Sequence, residues 1–296
     1  MMKKSYIMVT LIVGISFLLL GCQSKKEIVI ASKPMTEQYI ISQVLIELIE
    51  TETDLEVEYK SGVGGGTSNI HPAMVKGDID IYPEYTGTGW LQVLKKDNIS
   101  DPDELYQAVK QEYSEEYNIK WMGLYGFNNT YGIAMKQDLA EELGIQTYSD
   151  LADKGSHLKF GAEYDFYERE DGFPGLQETY GIDFDDKSEI DIGLKYEAIA
   201  NDEVDVINVF STDGRLAEHD LVVLEDDLNF FPSYYATTLV REETLEEYPE
   251  LEPILERLTN TLNNDDITYM NYLVEVKNED PKQVAKDFIK EKGLLN

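Results

Sequence analysis

Between Glu27 and Tyr82 the chain alternates short apolar runs with amphipathic stretches, an order that few folds accept. Glu27 to Ala31 (EIVIA) reads as a buried strand leading into a loop at Ser32-Lys33-Pro34. Thr36-Glu37-Gln38 opens an amphipathic helix through Ile49, with Thr36 as its expected cap. Leu55 to Tyr59 alternates as a strand, Gly62 to Gly66 is a turn, and Thr67 to Lys76 is a second helix. Ile79 to Tyr82 is a third strand. Strand, helix, strand, helix, strand predicts an α/β fold with a parallel sheet covered by helices on both faces.

A second series follows. Asp101-Pro102-Asp103-Glu104 starts a helix, and strands are expected at 119–125, 131–135, 158–162, 204–210 and 221–224. Ser149-Asp150-Leu151 starts a short helix, and the tail from Tyr248 is helical, ending in Pro281 to Lys292. The chain has no internal repeat and no low-complexity segment.

The N-terminus bears on location. Lys3 and Lys4, the apolar run Ile7 to Leu20 and small Gly21 form an export signal over residues 1–21. Leu18-Leu19-Leu20-Gly21-Cys22 resembles the lipobox of bacterial lipoproteins, which implies cleavage before Cys22 and a lipid on its sulfur. Residues 22–26 are then an anchor and polar tether. The competing assignment is a membrane-spanning helix followed by a free thiol, but the run is shorter than the roughly 20 residues a bilayer requires. Cys22 is the only cysteine, so an internal disulfide is excluded and the core alone must stabilise the domain. The expected location is the extracytoplasmic face of the cell membrane, held by lipid alone.

Two α/β halves in an exported chain imply a clamshell binding protein, with the ligand in the cleft near strand ends. Crossovers are expected near Asn128–Thr130 and Phe231–Tyr235. They divide the chain into a discontinuous first lobe, 27–129 plus 235–296, and a second lobe, 130–234. With 58 acidic residues against 25 basic ones, a formal net of −33, the surface repels nucleic acid. Such a surface either draws in cations or is simply well solvated.

Three segments carry a resemblance: Ala31-Ser32-Lys33-Pro34-Met35-Thr36-Glu37, Tyr82-Pro83-Glu84-Tyr85-Thr86-Gly87-Thr88 and Ser211-Thr212-Asp213-Gly214-Arg215. With the loop Glu168 to Gly172 between them, the chain resembles the substrate-binding lipoproteins of osmoprotectant ABC transporters. These are the glycine betaine, carnitine and choline receptors of the tyrosine-cage type. The resemblance runs from Glu27 to the end. It implies a type II periplasmic-binding-protein clamshell, no enzymatic activity, no cofactor, and permease and ATPase partners.

A trimethylammonium group is charged but has no hydrogen to donate. Aromatic faces hold it by cation–π attraction, roughly 0.5–2 kcal/mol each, while its methyl groups bury apolar area. Motif by motif, the resemblance implies a cage of Tyr85, Tyr131 and Tyr234. The fourth wall, commonly tyrosine in the family, is Phe210. Tyr234 is preferred over Tyr235, which points the other way in an extended segment. The ligand carboxylate is assigned to Lys33, Thr88 and Arg169, arginine offering a planar fork. For Lys33 the competing role is a solvent-facing cation. For Arg169 it is a local ion pair with Glu168, Glu170 or Asp171. Arg215 is an alternative donor to the carboxylate, but its expected role is to hold the Asp213 loop, and Gly89 is expected to leave room for a longer ligand.

Other patterns carry no chemistry. Gly62 to Thr67 lacks the lysine-serine ending of a phosphate loop. His71, His157 and His219 have no metal-ligand spacing, and no serine sits in a nucleophile signature. The expected function is delivery of glycine betaine, carnitine or a related betaine to an importer. Choline alone is disfavoured because Lys33 and Arg169 would repel it. Rival readings are a choline-selective, amino-acid or ergothioneine receptor of the same fold, an enzyme on the same clamshell such as a dehydratase, and an adhesive surface lipoprotein.

Overall fold

The computed structural model describes residues 27–216 and 220–295. The expected signal, Cys22, its tether and His219 lie outside them. Ten strands are described: β1 Glu27–Ala31, β2 Glu56–Lys60, β3 Ile81–Tyr85, β4 Ile119–Trp121, β5 Tyr131–Lys136, β6 Lys159–Ala162, β7 Asp186–Glu189, β8 Val206–Phe210, β9 Leu221–Val223 and β10 Ala236–Arg241. They form two five-stranded sheets, ordered β2-β1-β3-β10-β4 and β7-β6-β8-β5-β9. The chain passes from the first sheet to the second between β4 and β5, and returns between β9 and β10. The two crossing segments meet at an antiparallel bridge between Asn128 and Tyr235.

Both sheets are mixed, where a parallel sheet was expected. β1 runs parallel to β2 and β3, but β10 is antiparallel to both β3 and β4. In the second sheet β6 is parallel to β7 and β8, and β5 is antiparallel to β8 and β9. The crossings cause this, because each delivers a strand into a sheet from the opposite end.

The helix Thr36–Glu52 buries Ile40, Ile41, Val44, Leu45, Leu48 and Ile49, each contributing roughly 1.5–3 kcal/mol. Its cap is not Thr36: Met35 occupies that position without a side-chain bond, and Thr36 is the first helical residue. The helix Pro281–Lys292 covers the same core. The Asp280 side chain accepts from the Lys282 amide, Pro281 takes the first turn, and Gly293 closes the helix at φ +63°. A separate core centred on Phe160, Phe166, Phe173 and Phe184 supports the second sheet. No described helix is long and apolar enough to cross a membrane.

Candidate ligand-binding site

The topology brings specific residues to one edge. Lys33 follows β1, Tyr85 ends β3, Glu163 follows β6 and Phe210 ends β8. These are carboxyl ends of strands, where α/β sheets bind ligands. The antiparallel partners start at the same edge: Tyr131 pairs directly with Phe210, and Ala236, two residues after Tyr234, pairs with Tyr85. A cavity of about 450 Å³ lies there, and Lys33, Tyr85, Thr88, Tyr131, Arg169, Phe210 and Tyr234 all line it. Tyr234 faces the cavity, and Tyr235 is absent from its lining.

Tyr131 sits at the centre of the aromatic wall. Its ring centroid lies 4.9 Å from Phe210 and 5.7 Å from Tyr234, the latter at 90°. Phe166 and Phe231 back it at 5.2 and 5.6 Å. The tyrosine hydroxyls are held differently. Tyr234 donates to Asp171 at 2.6 Å, and Tyr85 donates to Glu37 at 2.6 Å. Burial, reinforced by those carboxylates, pushes both phenols well above their usual range, so they remain neutral donors.

Both cations of the cavity are already paired. The Lys33 ammonium bonds Glu84, which also accepts from the Thr67 hydroxyl at 2.7 Å and the Tyr85 amide at 2.8 Å. Burial pulls the Lys33 pKa down, against the opposing pull of Glu84. Lys33 also lies 4.7 Å from the Tyr85 ring centroid, so it is no solvent-facing cation. Arg169 forks onto Asp171, with Nε to Oδ1 at 2.7 Å, and reaches Gln92. Its guanidinium stands 5.7 Å from the Tyr131 ring. Of the three neighbouring acids, Asp171 is the one that engages it.

Glu37, unassigned in the sequence, is a node. It is 3% exposed and accepts from Tyr85, from Asn129 Nδ2 at 2.9 Å and from the Thr212 hydroxyl at 2.7 Å. It therefore joins the first sheet's helix, the first crossing and the loop after β8. Burial raises its pKa, and the hydrogen bonds from Tyr85, Thr212 and Asn129 oppose that. A second cavity of about 480 Å³ lies behind it, lined by Asp213, Arg215 and Glu275 among others. Burial and Asp213 push Glu275 up to about 7.

Arg215, two residues after Asp213, donates to the Gly193 carbonyl at 3.3 Å and approaches Glu197 at 3.9 Å, which ties its loop to the helix Lys195–Ala200 and the turn before it. One sequence expectation changes. Gly89 leaves no room for ligand, since a Cβ there would meet the Trp121 ring at 2.5 Å. Its smallness serves the core. Among the described residues no cluster of three metal-ligating side chains occurs.

Residues 26–291 match the OpuAC family model, the substrate-binding domain of the ABC-type glycine betaine transport system. The chain belongs to this family. It is 43% identical over 91% of its length to the ergothioneine transport permease/ergothioneine binding protein EgtU of Helicobacter pylori, and spans about half (48%) of that longer protein. It is 36% identical to the carnitine transport binding protein OpuCC of Listeria monocytogenes, covering 93% of this chain and 90% of that one. A crystal structure of a glycine betaine/carnitine/choline ABC transporter protein superposes with TM-score 0.72 at 32% identity, over 92% of this chain and 100% of that one. The α/β clamshell of the binding proteins is therefore its fold. The OpuAC family is one of extracytoplasmic solute-binding proteins serving ABC importers, and this member is a substrate-binding component, not an enzyme.

Proposed function

We propose that the cavity takes a quaternary-amine zwitterion, glycine betaine or a longer relative such as carnitine, and that closure around it presents the protein to the permease and ATPase of an importer. The convergence of Tyr85, Tyr131, Phe210 and Tyr234 on one cavity carries this reading. In it, the four rings surround the trimethylammonium group, and Lys33, Thr88 and Arg169 meet the carboxylate. The start of the helix Thr67–Lys76 lines the same cavity, and a helix N-terminus favours negative charge. The lobes divide at 129/130 and 234/235, so the bridged crossings act as the hinge.

Because Lys33 and Arg169 each arrive with a carboxylate partner, they repel a bare cation less than two unpaired cations would. Choline is therefore expected to bind measurably, though more weakly than a betaine. Ergothioneine is a second reading. It carries the same trimethylammonium and carboxylate groups on a larger frame. The volume of about 450 Å³ and the 43% identity to the Helicobacter protein favour it.

A thermal-shift panel of glycine betaine, carnitine, ergothioneine, choline and proline tests the proposal. A true ligand at about 100 times its dissociation constant adds roughly 2.7 kcal/mol of stability. Stabilisation by proline alone, or by none of the five, would reject the quaternary-amine site. Lipid anchoring at Cys22 belongs to the same proposal, and Cys22→Ala should leave the membrane fraction. A variant that is still processed and membrane-bound would refute the anchor.

A further inference from the structure

Lys195 is the buried charge that the site as described leaves unused. It opens the helix Lys195–Ala200 and is 1% exposed. Its ammonium has no hydrogen-bond partner among the described residues. Two carboxylates stand at ion-pair distance, Glu163 Oε2 and Asp213 Oδ2, each at 3.8 Å. Both have other commitments. Asp213 Oδ2 accepts from the Tyr196 hydroxyl at 2.7 Å and the Phe210 amide at 2.9 Å. Glu163 accepts from Asn208 at 2.8 Å through its other oxygen. The ammonium lies 4.6 Å from the centroid of the Phe210 ring.

Phe210 and Glu163 line the ligand cavity, whereas Lys195 does not. The lysine thus stands behind a cage wall. A fixed cation draws on the same ring quadrupole that a trimethylammonium would use. It also offsets the negative charge of Glu163, the one acid it shares with the cavity. Both effects lower the attraction of the cage for positive charge. A zwitterion recovers part of that loss through its carboxylate, and a bare cation recovers none.

We infer that Lys195 is a specificity-determining residue that biases the site against bare quaternary cations and toward zwitterions. This presupposes the quaternary-amine site proposed above. With a ligand nitrogen on the opposite face of Phe210, about 9 Å from the ammonium, the removable repulsion corresponds to about a twentyfold change in affinity at an effective dielectric of about 20. It acts through Phe210 and Glu163, with no contact to the ligand. Replacing the charge by a side chain of similar length should therefore change the ratio of affinities rather than abolish binding.

The test is calorimetric titration of choline and of the tightest binder among glycine betaine, carnitine and ergothioneine, on wild type, Lys195→Met and Lys195→Arg. Lys195→Met should tighten choline about twentyfold and narrow the zwitterion-to-choline ratio at least threefold. Lys195→Arg keeps the charge and should keep the wild-type ratio. If Lys195→Met fails to fold because Glu163 and Asp213 are left facing each other, the double variant Lys195→Met/Asp213→Asn removes one of those carboxylates. Measured against Asp213→Asn alone, which carries the same loss of a carboxylate, it should show the same narrowing. An unchanged or widened ratio in the folded charge-removed variant would overturn the inference while leaving the binding site intact. The same narrowing in Lys195→Arg would show that shape, not charge, sets the ratio, and would overturn it too. Absence of binding by wild type to all four ligands would instead reject the site itself, and the inference with it.

Discussion

Glu37→Ala should lower the unfolding free energy by about 3–5 kcal/mol, the usual effect of breaking a buried charged network from one side. The substitution orphans three buried donors at once: the Tyr85 hydroxyl, Asn129 Nδ2 and the Thr212 hydroxyl. Each unsatisfied group costs about 1–3 kcal/mol, and losing a desolvated carboxylate returns part of that. Glu37→Gln keeps one acceptor and should fall between wild type and Ala. Because Thr212 belongs to the loop after β8, the damage should reach the second sheet as well as the first. Urea denaturation of the three proteins measures it. A shift under about 1 kcal/mol for Glu37→Ala would show that water replaces the carboxylate and that the node is not structural.

Tyr131→Ala should weaken binding of the trimethylammonium ligand about a hundredfold, on the scale of a binding hot spot. The ring is the centre of the wall, touching Phe210, Tyr234, Phe166 and Phe231, so its removal loosens the faces around it as well. Phenylalanine should behave differently at different positions. The Tyr131 hydroxyl makes no hydrogen bond among the described residues, so Tyr131→Phe should stay within about threefold of wild type. Tyr85→Phe deprives Glu37 of a donor and should cost about tenfold, in line with a hydrogen bond to a charged group. Equal affinities for Tyr131→Ala and Tyr131→Phe would contradict a cation–π wall at that position.

The segments that read most plainly in the sequence are those whose pattern and packing agree. EIVIA forms β1 as expected, because its unbroken apolar run Ile28 to Ala31 suits a strand flanked on both sides by β2 and β3. The helix beginning at Pro102 carries its own signal, with the Asp101 side chain accepting from the Glu104 amide. β3 starts two residues and ends three residues beyond the expected Ile79 to Tyr82. Pro83 lies inside it and argues against a strand, yet Tyr82 to Tyr85 pair only with β10, where Pro83 opposes Thr238. β7 was missed because Asp-Lys-Ser-Glu is polar and mostly exposed, an edge strand with no apolar alternation. β10 (ATTLVR) was missed because its buried threonines are polar, and they pair with Glu84 and Pro83 of β3, a circumstance that no local pattern records.

At the site, residue types were legible and their partners were not. Arg169 and Asp171 are two apart in sequence, so an ion pair between them could be anticipated. Lys33 and Glu84 lie 51 residues apart, and only the parallel placement of β1 beside β3 brings them together. The same holds for Glu37 and Thr212, 175 residues apart. The sequence shows Lys33 and Arg169 as cations that would repel choline, and the structure sets Glu84 beside the first and Asp171 beside the second. Gly89 was read as space for ligand because it follows Thr88, but the helical turn Thr88–Val93 directs it to Trp121.

The most direct measurement is a crystal structure with the tightest binder of the betaine panel. The quaternary nitrogen should lie within about 6 Å of the ring centroids of Tyr85, Tyr131, Phe210 and Tyr234, with the ligand carboxylate toward Lys33, Thr88 and Arg169. A ligand seated in the cavity behind Glu37, or one whose quaternary group faces away from those rings, would contradict the account.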